Sequence, residues 1–183
     1  MVGVVVFTGS LYSYFISLTW KIYFSLKIDG LNDSSLAVIL MSGGLVSAFT
    51  RVFTGLALQR ISFRYMMIFL NGFGAVCALT IDGLSTTYGM AIVYICISFF
   101  HLGIYFTLLP PMVSDIFGPK VGKRLYGLVK ICGTLGSFAQ YFLFQFYGVK
   151  GNYAVLFYIF GGFGAVSFIL SLFTNFKPVW NPA

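Results

Sequence analysis

Three side chains interrupt long apolar runs with groups that do chemistry: Arg51 in SAFTRVFTGLA, Lys130 in YGLVKICGTLG and His101 in ISFFHLGIYF. An ionised side chain in hydrocarbon costs about 2.5–3.5 kcal/mol on insertion scales, so a chain that keeps one there marks a candidate site. A guanidinium presents a planar fork of donors matched to a carboxylate, an ammonium is a point charge, and an imidazole exchanges protons near neutrality. Each residue also has a plainer reading. Arg51 stands eight residues before Gln59, roughly 12 Å at helical rise, which is deep for a snorkelling side chain. Lys130 follows Arg124 by six residues and is closer to an interface it could reach. His101 reads either as a proton relay or as a neutral, hydrogen-bonded packing residue. Asp115 follows Pro110-Pro111 at an expected helix end, where Lys120, Lys123 or a loop arginine would pair with it. Tyr12, Tyr14, Trp20 and Lys21 are candidates to line a cavity.

Long apolar segments must position these groups. The chain is 59% hydrophobic and 8% charged, whereas a soluble domain carries about 25% charged residues to solvate its surface. Such a surface belongs in lipid. A spanning helix needs roughly 20 mainly apolar residues, and six stretches qualify: about 2–26, 36–58, 65–81, 88–110, 125–147 and 153–174. The breaks, Asp29 to Asp33, Gln59 to Arg64, Asp82-Gly83, Pro110 to Arg124 and Gly148 to Asn152, collect turn formers and charges. The sequence thus predicts an all-α integral membrane protein of six transmembrane helices in one domain over 1–183, with the lipid bilayer as its first partner. Arg60, Arg64, Lys120, Lys123, Arg124 and Lys177 fall on the side of the termini, against Lys21, Lys27 and Lys150 opposite. That bias predicts cytoplasm-like termini.

Other classes find no support in the residues. The net charge of +7 comes from eleven basic residues scattered between apolar stretches, without the basic stripe that nucleic acid requires. Cys77, Cys96 and Cys132 lie in apolar stretches without metal-ligand spacing and read as packing residues. No catalytic triad or phosphate loop is present, so no enzyme and no cofactor is expected. Met1–Trp20 lacks a basic leader and reads as the first helix. Gly72-Phe73-Gly74-Ala75-Val76 in the third segment recurs as Gly162-Phe163-Gly164-Ala165-Val166 in the sixth. The echo fits an inverted repeat of three helices, or simply the small residues common at membrane helix contacts.

The stretch SAFTRVFTGLALQRISFR (47–64) resembles the loop signature of the major facilitator superfamily. Arg51 and Gly55 supply the Arg-x-x-x-Gly helix end, and Gly55, Arg60 and Arg64 keep the loop spacing. Gln59 stands where that signature has an acid, and Ser62 replaces its second glycine. The stretches 84–120 and 126–148 look like helices ten and eleven of monocarboxylate porters and oxalate–formate antiporters: a Gly-rich helix, Pro, an acid, Phe-Gly-Pro-Lys, then a helix ending at Tyr-Gly. The resemblance spans nearly the whole chain but only the carboxyl-terminal half of a twelve-helix transporter.

That resemblance implies half of a major facilitator fold, a 3+3 inverted repeat of six transmembrane helices, acting in alternating-access transport of small organic anions. Arg51 matches the arginine that binds the substrate carboxylate. Lys130 lies about one turn before a substrate lysine of the antiporters, which keeps the face and shifts the depth by roughly 5 Å. Gly55, Arg60, Arg64 and Asp115 would form the gate. Ser47 occupies the position of a proton-coupling acid of the porters and cannot titrate, so anion exchange stays open beside symport. The implied partners are a small carboxylate and a second six-helix half: a missing amino-terminal half, a second copy or another subunit. The alternative is a non-transporting facilitator-like subunit that packs within a larger complex.

Overall fold

Helix breaks fall where turn formers gather. The computed structural model describes residues 2–148 and 150–174; Lys177 and the side chain of Cys132 lie outside what is described. The helices are α1 (Val2–Lys27), α2 (Asp33–Ala57), α3 (Phe63–Leu84), α4 (Tyr88–Phe117), α5 (Pro119–Leu143) and α6 (Tyr153–Phe173), with a π-helical turn over Phe144–Gly148. No strand occurs among the described residues. Asn32 caps α2 by accepting from the Ser35 N–H at 2.9 Å, and Thr87 caps α4 by accepting from Met90 at 3.4 Å. Both satisfy donors that a helix start leaves open.

One expected break is absent. α4 runs for 30 residues straight through Pro110 and Pro111. Proline removes a helical N–H and crowds the preceding turn, yet Leu108, Leu109, Met112, Val113 and Ile116 are all buried in one apolar core. Packing on both sides of the prolines holds the helix in register, as membrane helices commonly allow. The real corner is Gly118, at φ 83° and ψ 156°, a conformation essentially reserved for glycine. Pro119 then opens α5 with its ring pre-set for a first turn.

α1, α2, α3, α4 and α6 are long and apolar enough to cross a membrane. α5 matches them in length, but Lys130, Thr134, Ser137 and Gln140 recur along it and lower its hydropathy. The five apolar helices give the chain the profile of a multi-pass membrane protein.

α1 and α4 sit at the centre and pack on each other; α2 leans on α4, α5 on both, and α3 on α6. Tyr12 pairs with Ser98, while Val6 nearer the start of α1 pairs with Tyr105 further along α4. The falling number against the rising one marks the two helices as antiparallel. α3 and α6 are antiparallel too, and one glycine of each echo, Gly72 and Gly164, lies at their contact. A Cβ at Gly164 would lie 3.1 Å from Ala75, and one at Gly72 would lie 3.0 Å from the Phe168 ring. Small residues here bring the two backbones close, as in membrane helix pairs generally.

Two apolar cores fill the bundle. One gathers Leu11 to Phe24 of α1, and Ile28 just past it, with Cys77, Ile81, Ile95, Leu156 and Phe160; the other gathers Val5 and Val6 with Leu70, Ile104, Leu108 and Met112. Between them runs a buried polar layer of Ser10, Ser13, Asn71, Ser98, His101 and Ser167. Asn71 is fully buried, and neither of its amide atoms has a hydrogen-bond partner among the described residues. An unsatisfied buried polar group costs about 1–3 kcal/mol, so the Asn71 amide is a net cost within this layer.

Candidate functional site

Four helices converge on the ring of Phe106. The Arg51 guanidinium of α2 lies 5.6 Å from the ring centroid and the Lys130 ammonium of α5 lies 4.2 Å from it. Tyr14 of α1 meets the same ring edge-on at 5.9 Å. Tyr126, one turn before Lys130 on α5, stands 5.8 Å from that ammonium.

Local sequence explains the convergence. Gly103 lets α2 approach α4, since a Cβ there would stand 3.0 Å from the Ser47 carbonyl and 3.2 Å from Thr50. Phe106 lies three residues past Gly103, on the same face of the helix, and Arg51 follows Thr50. The close contact at glycine therefore carries the guanidinium to the ring. On the other flank Gly136 lets α5 approach α1, facing Leu11 and Phe7, and Gln140 donates to the Leu11 carbonyl at 2.6 Å. Tyr126 and Lys130 then share one face of α5 by their spacing of four.

The electrostatics are one-signed. Neither cation takes part in the Lys21–Asp33 or Lys27–Asp82 ion pairs, at 3.2 and 2.8 Å. The face of Phe106 offers each cation about 0.5–2 kcal/mol through its quadrupole. That does not cancel the repulsion of two like charges gathered on one ring. An anion between them would. Arg51 is exposed in the chain, while Lys130, Tyr14, Tyr126 and Phe106 are half-buried, so the cluster opens outward from the bundle.

The remaining candidate residues are distributed differently. His101, expected with the other two, is fully buried among α1, α3 and α4. Its Nε2 bonds the Leu70 carbonyl at 3.0 Å and its Nδ1 bonds the Ser13 hydroxyl. A carbonyl only accepts, so Nε2 carries the proton and, in the neutral ring, Nδ1 accepts from Ser13. Five residues separate His101 from Phe106, about 140° around the helix, so the two face different ways. Tyr12 and Trp20 are buried in the core, and Lys21 is exposed in its pair with Asp33; of the aromatic group only Tyr14 reaches the cluster.

The loop residues stand in different elements. Gly55 lies on the open face of α2 with nothing within 4 Å of a Cβ placed on it, so it makes no close helix contact here. Arg60 is exposed in the turn after α2. Arg64 donates from Nη2 to the Leu172 carbonyl at 2.7 Å, satisfying one of the acceptors that the end of α6 leaves open. Asp115 is exposed in the last turn of α4, behind the prolines and two residues before the helix ends at Phe117. Ser47 is buried against Gly103. Phe106 is the residue that sequence reasoning missed. It is one of 22 phenylalanines, and only its spacing from Gly103 sets it apart.

No family model matches the chain, and no curated protein matches it.

Proposed function

We propose that the chain is one half of a secondary transporter for small organic anions, built on the major facilitator plan and working by alternating access. The observation that carries this reading is the convergence of Arg51 and Lys130, from two different helices, on Phe106 at 5.6 and 4.2 Å. Two cations on an aromatic platform fit a mono- or dicarboxylate: the guanidinium binds one carboxylate in its fork, the ammonium neutralises a second charge, and the ring covers the carbon skeleton. Phosphate-sized anions would leave that apolar surface unused.

The architecture supports the same reading. In it α5 is the sixth spanning helix, its polar face turned to an aqueous cavity. α1–α3 and α4–α6 are inverted repeats, with α2 leaning on α4 as α5 leans on α1, and α3 meeting α6 across the pseudo-axis. The partner is a second six-helix half that faces α2 and α5, and both termini lie on the cytoplasmic side.

Charge supplies the mechanism. The empty site holds two cations that are costly to enclose, so it stays open to water. A bound dianion removes most of that penalty and a monoanion part of it, which favours the occluded state from which the halves rock. Ser47 brings no titratable group to the site, so return of the empty carrier is slow and exchange of one anion for another is the favoured cycle.

The test is uptake of labelled lactate, pyruvate, formate and oxalate into proteoliposomes holding the assembled protein, with and without internal anion. Arg51→Ala is expected to abolish uptake while expression and helix content persist, and Phe106→Leu to weaken it. Full uptake in Arg51→Ala would sink the proposal.

A further inference from the structure

An apolar groove of about 420 Å³ lies on the other flank of α2, away from the Phe106 cluster. Phe53 and Ala57 of α2 form one wall, Tyr65 and Phe69 of α3 the other, and Phe100 and Ile104 of α4 the floor. The groove exists because α2 and α3, though consecutive, each pack mainly on other helices. From Thr50 to Ala57 it follows about 10 Å of helix, a third of the roughly 30 Å hydrocarbon core. It therefore lies within one leaflet.

Its end is charged. Arg60 and Arg64 directly precede the lining residues Ile61 and Tyr65, and both are exposed. Arg64 is held at the end of α6 by its bond to the Leu172 carbonyl, and a guanidinium has five N–H donors in all. No acidic residue lies between Asp33 and Asp82, so nothing in this stretch of chain neutralises the pair. An apolar slot within one leaflet, whose lining residues Ile61 and Tyr65 directly follow two exposed arginines, matches an acyl chain and an anionic headgroup.

We propose that this groove is a binding site for one anionic phospholipid, with an acyl chain between α2 and α3 and its phosphate held by Arg60 and Arg64. The lipid wedges open the gap that α2 and α3 leave and ties the turn 58–62 to the membrane surface. The site is independent of the anion reading, since it needs only that the chain sits in a bilayer.

The experiment is native mass spectrometry of the full chain in mild detergent, with phosphatidylglycerol and phosphatidylcholine of matched chains added in competition. One phosphatidylglycerol is expected to stay bound under conditions that strip phosphatidylcholine. A basic residue near the surface contributes roughly fivefold to such binding, so Arg60→Gln should weaken retention by about that factor. Ala57→Phe, which fills the slot and leaves both arginines, should abolish retention. Arg60→Gln removes no side-chain hydrogen bond or ion pair among the described residues, so its result is readable even where Arg64→Gln loosens α6. Equal retention of the two lipids, or phosphatidylglycerol retention that survives Ala57→Phe, would overturn the proposal.

Discussion

Arg51 and Lys130 announced themselves as charges in apolar runs, and that signal depends only on residue type and neighbourhood. What could not be read was that they meet, because the meeting is set by how closely α2 approaches α4 at Gly103 and α5 approaches α1 at Gly136. His101 carries the same kind of signal and has a different outcome. Both its ring nitrogens are committed, to Ser13 and Leu70, and it has no exposed surface. Removing the ring strands the buried Ser13 hydroxyl, at about 1–3 kcal/mol, and takes from the Leu70 carbonyl a donor beyond its helical one. His101→Ala is therefore expected to lower the thermal midpoint in detergent, and His101→Gln, which keeps a donor and an acceptor, to lower it less. Uptake per folded molecule should hold, with an unchanged pH profile. A pH optimum displaced in His101→Gln at unaltered stability would instead make the imidazole a proton carrier.

Among the elements, the corner between α4 and α5 separates what local rules decide from what packing decides. Two adjacent prolines are a strong local stop signal, and by that rule the fourth helix ends there. The helix continues because the residues after the prolines share a core with those before them, and burial of that kind is invisible to a local rule. Gly118 in Phe-Gly-Pro-Lys was legible as a turn but not as the sole corner. Its backbone at φ 83° and ψ 156° costs a side chain about 1–3 kcal/mol. Four residues on, a Cβ at Gly122 would stand 2.7 Å from the Ser114 Cα and 2.9 Å from the Val113 carbonyl. These atoms are backbone and cannot swing aside. Gly118→Ala and Gly122→Ala are each expected to destabilise the protein, by fluorescence-monitored unfolding, more than Gly55→Ala, whose Cβ enters open space. Comparable losses at all three positions would mean that the corner is not tight.

For the whole molecule, exposure has to be judged against lipid instead of water. Phe49, Val52, Phe53 and Leu56 on α2, and Leu128, Ile131, Leu135 and Phe138 on α5, are all exposed. In a bilayer that is their natural setting and by itself calls for no partner. Arg51 is different: it shares the open side of α2 with Gly55 and is as exposed as its apolar neighbours. Left against hydrocarbon it would cost about 2.5–3.5 kcal/mol, and the half-buried Lys130 beside it raises that figure. The cost disappears if α2 and α5 face a second body across a water-filled cavity. Gly55 then regains a purpose, because a glycine on the contact face lets a partner helix approach closely. Light scattering of the protein in nanodiscs is expected to find a second six-helix body, either another copy or a different polypeptide. Gly55→Trp should release it and abolish uptake while circular dichroism keeps its helical signal. A single chain that stays monodisperse and exchanges anions unaided would refute the two-body arrangement, and Arg51 would then need its counter-charge from lipid.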